Sequence, residues 1–152
     1  MDISFILDRL AIGEGIWTAD RMARLAMLGF THIVDVQQEF DDTELARAQG
    51  LEVLWNPTDD DFQPKHPEFF HRSVRFALSA LQEEEYHQVY VHCAAGVHRA
   101  PLTGAAILCG LGYSVEEALE LIRARRASAD FPLVYVESLR RFAQEWEQTQ
   151  AS

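Results

Sequence analysis

The stretch "VYVHCAAGVHRAPLTG", residues 89–104, decides the fold. It opens as a strand, since VYVHC is rich in β-branched and aromatic residues, and it continues as a helix from about Ala100 onward. Between the two lie Ala94, Ala95 and Gly96, small enough for the backbone to approach a ligand closely, and Gly96 can adopt positive φ at no steric cost. A strand turning through small residues into a helix N-terminus aims successive amides and the positive end of a helix dipole at one point. Such a unit belongs to a chain that alternates strands and helices.

The flanking sequence repeats that alternation. "ISFIL" and "LAI" read as short strands, and "IWTADRMARLAMLGF" as a helix capped by Thr18 and ended by Gly29, with Met22, Leu25, Met27 and Leu28 roughly at helical spacing. "THIVDV" is a buried strand, "DTELARAQG" a helix closed by Gly50, and "LEVLW" another strand. "NPTDDDFQPKHPEF" is a loop leading into a helix that opens at Pro67, with Phe70, Val74, Ala77, Leu78 and Leu81 on one apolar face. Beyond residue 104 come the rest of the first C-terminal helix, then "SVEEALELIRARR" with Ser114 and Glu117 spaced as a capping box, then a last helix through "VESLRRFAQEW". The expected fold is α/β: one three-layer domain over residues 1–152, with a central, mostly parallel sheet flanked by helices on both faces.

Composition limits the function. Half the chain is apolar at 48%, enough for one core, and no repeat or linker divides it. No run approaches the roughly 20 apolar residues of a membrane span, and "MDISFILDRL" lacks the basic n-region of a secretory leader. Cys93 and Cys109 are too sparse for a disulfide framework, so a reducing, cytoplasmic setting is expected. Thirteen Lys plus Arg against 24 Asp plus Glu give a net charge of −11, which argues against nucleic acid and anionic membranes as partners. An anionic ligand must therefore be held by a local device.

Cys93 and Arg99 supply such a device. A thiol attacks phosphorus as its thiolate, which a helix N-terminus and a nearby cation favour. Arg99 adds a planar fork for two phosphate oxygens, a geometry that lysine does not reproduce. His-Cys-x-x-Gly-x-x-Arg arises by chance in only roughly a few chains per ten thousand of this length. A free cysteine is commonly just a small buried hydrophobe, but that reading explains none of the other residues.

These residues resemble the signature of the cysteine-dependent protein tyrosine phosphatase superfamily, and the short chain is similar to its compact dual-specificity branch. The resemblance implies Cys93 as the nucleophile forming a phosphocysteine. It implies the amides of Ala94, Ala95, Gly96, Val97, His98 and Arg99 with the Arg99 side chain as the phosphate cradle, and His92 as the residue positioning the thiolate. No cofactor or metal is implied, and the remaining histidines, His32, His66, His71 and His87, form no metal motif. The substrate class is a phosphorylated protein or small phosphomonoester: phosphotyrosine, with phosphoserine and phosphothreonine admitted by a shallow cleft.

The mechanism also needs a proton donor from a separate loop. In dual-specificity phosphatases the acid often follows a proline as Pro-x-x-Asp, and "PTDD" puts Asp60 there, with Asp59 and Asp61 as neighbouring candidates. One residue departs from the family: Ala100 stands where Ser or Thr usually follows the arginine, which should slow hydrolysis of the phosphocysteine. Thr103, one turn on, is a candidate substitute donor, and a phosphate-binding but catalytically idle module is the corresponding alternative. The loop lacks the lysines that inositol-phosphate and phosphoinositide members often carry, which favours a singly phosphorylated side chain, with those substrates as the alternative. Arg123, Arg125 and Arg126 read as cations at a helix C-terminus, or as a patch for acidic substrates. Cys109, far along its helix from Cys93, reads as packing.

Overall fold

The computed structural model describes residues 1–151. The elements run β1 (Ile3–Leu7), β2 (Leu10–Gly13), α1 (Ala19–Met27), β3 (His32–Gln37), α2 (Thr43–Ala48), β4 (Glu52–Thr58), α3 (Pro67–Glu83), β5 (Val89–His92), α4 (Arg99–Gly110), α5 (Val115–Arg125) and α6 (Leu133–Ala151). The five strands form one sheet in the order β1-β2-β5-β3-β4. β1 and β2 pair antiparallel, and every other pairing is parallel. The mostly parallel sheet read from the alternation is present.

Both faces of the sheet are covered, which explains why its strands are continuous apolar runs. Successive side chains alternate between the faces. Val89 and Val91, Leu10 and Ile12, and Val34 and Val36 join the core built with α3–α6, whereas Tyr90, Ala11 and Ile33 join the smaller core built with α1 and α2. α4 is buried around nearly its whole circumference. Gly104 lets it lie close against β2, for a Cβ there would come within 2.4 Å of the Ile12 side chain. That contact fixes where the N-terminus of α4 sits.

The caps follow the sequence. Thr18 accepts from the Arg21 amide at 3.2 Å, and Gly29 at φ +95° ends the turn after α1. Ser114 and Glu117 exchange both capping-box bonds, worth about 1 kcal/mol. Two expected core residues of α1 lie outside: Met27 and Leu28 are exposed. Met27 sits about 200° round the helix from buried Leu25, and Leu28 is already the C-cap. α4 starts at Arg99, so Pro101 occupies its first turn, where a missing N–H costs no helical bond.

Candidate active site

Cys93 follows directly on β5, a central strand held on both sides by β2 and β3, and is only 3% exposed. The loop after it is tied down from behind by its carbonyls. Ala94 O accepts from Gly15 N at 3.0 Å, Val97 O from Asp130 N at 2.9 Å, and His98 O from Leu102 N at 3.1 Å. Arg126 takes the two between, with Nε on Gly96 O at 2.8 Å and a longer contact from Nη2 to Ala95 O at 3.5 Å. With each carbonyl from Ala94 to His98 turned to the scaffold, the amides are left for the opposite side. Gly96 makes the turn at φ +71°, and a Cβ there would meet Arg126 and the Gly13 backbone at under 3 Å.

The Cys93 sulfur accepts from Gly96 N at 3.3 Å and Ala100 N at 3.4 Å, so two amides face the position where negative charge on sulfur would sit. Arg99 reaches over from α4. Its Nη1 donates to Glu39 Oε1 at 2.7 Å and Thr58 O at 2.9 Å, and its Nη2 to Glu39 Oε2 at 2.8 Å. Its buried Nε has no hydrogen-bond partner among the described residues. Of five guanidinium hydrogens, the Nε one and one on Nη2 remain, side by side, which is the fork an oxyanion takes. Glu39, paired end-on with the guanidinium, is pulled down to a pKa of about 2 by that hydrogen bond.

Beneath the loop, His92 is fully buried. Its Nδ1 lies 3.2 Å from Cys93 O, and its Nε2 is hydrogen-bonded to Asp42 Oδ2 with Asp35 Oδ1 3.8 Å away. Burial opposes a charge on this ring, but the hydrogen bond and charge of Asp42, with Asp35 behind it, outweigh burial and raise its pKa. Burial, with the charge of Asp42, also pushes Asp35 up, to about 8, which for a carboxyl favours the neutral form, despite His92 and the amides of Gln37 and Asp42. These three could gather round a cation by proximity, yet both Asp35 oxygens accept from amides and Asp42 Oδ2 is bonded to His92, which leaves only the buried Asp42 Oδ1 without a partner among the described residues.

The loop after β4 separates its three aspartates. Asp61 accepts from Lys65 Nζ at 2.9 Å, and the Asp59 carbonyl accepts from the same ammonium at 2.7 Å. Asp60 alone turns to the loop of Cys93. Its Oδ2 lies 2.8 Å from His98 Nδ1, and its Oδ1 accepts from the Tyr135 hydroxyl at 2.9 Å. His98 Nε2 in turn lies 2.9 Å from Asp130 Oδ2. Phe62, next to these aspartates, has φ +56° and stacks edge-on against His98.

Two expectations need correction. The Thr103 hydroxyl donates to Arg99 O at 2.9 Å, because a β-hydroxyl one turn into a helix finds the carbonyl four residues back before it reaches the sulfur. Arg126 offers no charge to a substrate: it is buried, with Nη1 and Nη2 on Asp2 and Ser4 and its Nε on the loop. Arg123 lies over the Phe131 ring at 5.2 Å. Cys109 is buried and unpaired, its thiol pushed up to about 11 by burial. Glu39, Asp35, Asp42, Asp130 and Tyr135 were not singled out by sequence. The available signal was position, since Asp35, Glu39 and Asp42 lie at or just past the end of β3, whose Asp35 pairs in register with His92.

Fold and loop together define the class, an α/β domain whose amides and arginine fork surround a buried thiol. The family model for the dual specificity phosphatase catalytic domain matches residues 16–145, and the chain belongs to that family, a compact branch of the cysteine-dependent protein tyrosine phosphatases. It is 31% identical over 118 residues to protein tyrosine phosphatase type IVA 2 of Mus musculus, covering 76% of this chain and 70% of that protein. With type IVA 3 of the same organism it shares 33% over 123 residues, covering 76% and 68%. Among solved structures, PTPMT1 superposes with a TM-score of 0.83 at 25% identity, covering 98% of both chains. Human DUSP28 gives 0.82 at 18%, covering 97% of this chain and 96% of the other. No helix among the described residues is long and apolar enough to cross a membrane.

Proposed function

We propose that the chain hydrolyses phosphomonoesters through a phosphocysteine, without a metal ion, and that its substrates are phosphotyrosine and, secondarily, phosphoserine and phosphothreonine side chains. The observation that carries this reading is the loop itself. Its carbonyls are tied away from the site while two amides meet the Cys93 sulfur and Arg99 keeps its Nε–H unpaired. Amides 94–99 and the free edge of Arg99 take the three equatorial oxygens, leaving phosphorus over sulfur.

The chemistry then runs in two displacements. A lone pair of the Cys93 thiolate attacks phosphorus, and the P–O ester bond breaks with its electrons going to the leaving oxygen. That oxygen takes the proton of the Asp60 carboxyl. Water next attacks the phosphocysteine, its proton goes to the Asp60 carboxylate, and the S–P bond breaks to release inorganic phosphate and thiolate.

The choice of substrate rests on charge. Around the cradle, Glu39 pairs with Arg99 and both Asp60 and Asp130 lie against His98, while Lys65 pairs with Asp61 and donates to the Asp59 carbonyl. Such a rim suits a single phosphate on an otherwise neutral or basic segment and repels ligands with several phosphates. Inositol phosphates and phosphoinositides are the second reading because the structurally similar PTPMT1 has been solved in complex with PI(5)P.

The test is phosphate release by wild type, Cys93→Ser and Asp60→Asn, with chelator present, from an aryl phosphate, phosphotyrosine and phosphothreonine peptides, and inositol phosphates. Wild-type turnover of the peptides, lost in Cys93→Ser, is expected. A wild type no faster than Cys93→Ser on every substrate removes the enzyme reading, and turnover confined to inositol phosphates selects the second one.

A further inference from the structure

His98 lies in the loop of Cys93, and its ring does more than any backbone role asks of that position. Nδ1 is 2.8 Å from Asp60 Oδ2 and Nε2 is 2.9 Å from Asp130 Oδ2, so one imidazole spans two carboxylates from two other loops. Asp130 also donates its amide to Val97 O, which fixes that end of the clamp to the same loop. The other Asp60 oxygen is fixed too: Phe62 N donates to the Tyr135 hydroxyl at 3.1 Å, leaving that hydroxyl to donate to Oδ1. The edge of the Phe62 ring packs on the imidazole. We propose that the His98 side chain, held between Asp60 and Asp130, is the positioning residue that keeps the Asp60 carboxyl over the phosphate cradle in both displacements.

This rests on the reading of Asp60 as the acid, and proton counting sharpens it. For both ring nitrogens to make hydrogen bonds to carboxyl oxygens, one proton must lie in each contact, and the proton delivered to the leaving oxygen is a third, carried by Asp60 on a lone pair that neither His98 nor Tyr135 occupies. Each ring nitrogen then donates, Nδ1 to Asp60 and Nε2 to Asp130. When Asp60 gives its proton to the leaving oxygen, the two protons of the clamp stay and both hydrogen bonds hold through the phosphocysteine stage. The proton that Asp60 takes from water returns the count to three. No outside donor is required, and the imidazole keeps the carboxyl from swinging away between steps.

A positioning role for proton transfer has a signature that looser loop packing does not share. Leaving groups that need protonation should suffer, and those that do not should be spared. With phenyl phosphate, His98→Ala should lower kcat/KM about tenfold or more, part of the effect a general acid supplies, whereas with dinitrophenyl phosphate kcat/KM, which reports only phosphocysteine formation, should change less than about twofold. Its steady rate after the burst, set by the second displacement, should fall, and competitive inhibition by inorganic phosphate should stay put. His98→Asn, whose side-chain amide can still reach Asp60, should recover part of the phenyl phosphate rate, and Asp130→Asn should give a smaller version of the His98→Ala defect. If His98→Ala does not fold, Asp130→Asn carries the same test. Equal losses of kcat/KM on both esters, or none on phenyl phosphate, would overturn the inference. Asp60→Asn is the control: if it shows no leaving-group selectivity, the assignment of Asp60 as acid fails first, whatever His98 does.

Discussion

Glu39 and Arg99, 60 residues apart in sequence, form a two-toothed ion pair at 2.7 and 2.8 Å that leaves the Nε edge of the guanidinium open. The carboxylate therefore sets the plane of the arginine without taking the edge an oxyanion needs. Glu39→Gln keeps the shape but weakens both contacts, and a charge-assisted bond is worth about 1.5–3 kcal/mol. Because Glu39 is partly exposed and Thr58 O still holds Nη1, only the lower part of that range should reach ligand affinity. Expected is about tenfold weaker inhibition by vanadate or phosphate, read from competitive inhibition constants, with Arg99→Lys losing far more. Unchanged or tighter inhibition in Glu39→Gln would show that the carboxylate competes with the ligand and does not orient its receptor.

The buried Asp35, Asp42 and His92 group gives a pH-dependent stability of unusual sign. Asp35 titrates at about 8 in the folded chain against an ordinary 3.8, and the pKa of His92 is raised above 6.5. A group whose folded value lies above its unfolded value binds more protons when folded, so its contribution is fully present below the unfolded value and is lost as pH rises through the folded one. Between about pH 4 and 8 this group should make stability fall with rising pH, opposite to the paired carboxylate of Glu39, whose contribution is lost only as pH drops toward 2. In Asp35→Asn the titration is gone, and one of the two amides bonded to that carboxyl loses its acceptor. The variant should be less stable by about 1–3 kcal/mol at low pH, and its flatter profile of urea midpoint from pH 5 to 8 should narrow or reverse that deficit toward pH 8. Parallel profiles for wild type and variant would sink this account.

What the sequence discloses about the site follows the distance between its parts. The turn around Cys93, the fork of Arg99 and the capping box of Ser114 and Glu117 are local, so spacing alone reveals them. Asp60 is half legible: Pro-x-x-Asp favours it, but three adjacent aspartates look alike until Lys65 engages the segment at Asp59 and Asp61, and His98 and Tyr135 take Asp60. Arg126 reads as a surface cation because a helix C-terminus commonly carries one. Only the fold reveals that it is buried against Asp2, Ser4 and the carbonyls of the loop. Glu39, Asp42 and Asp130 meet the loop across 32 to 60 residues of sequence, through strand order and not through spacing.

Ala100 stands where the resemblance read from the sequence leads one to expect a hydroxyl, and the structure makes the consequence specific. The residue is buried, its amide points at the Cys93 sulfur at 3.4 Å, and Thr103 directs its hydroxyl to the Arg99 carbonyl. In the proposed second displacement the leaving sulfur would therefore be served by the amides of Gly96 and Ala100. A hydroxyl on residue 100 would add a donor whose value grows as charge returns to sulfur, so it should lower the barrier to phosphocysteine hydrolysis more than the barrier to its formation. In rapid-mixing assays with dinitrophenyl phosphate, wild type should release phenolate in a burst followed by slower turnover. Ala100→Ser should raise the steady rate, by about tenfold if the donor is well placed, and shrink the burst in proportion. A burst and a steady rate both unchanged by Ala100→Ser would mean that the two amides already supply what the sulfur requires.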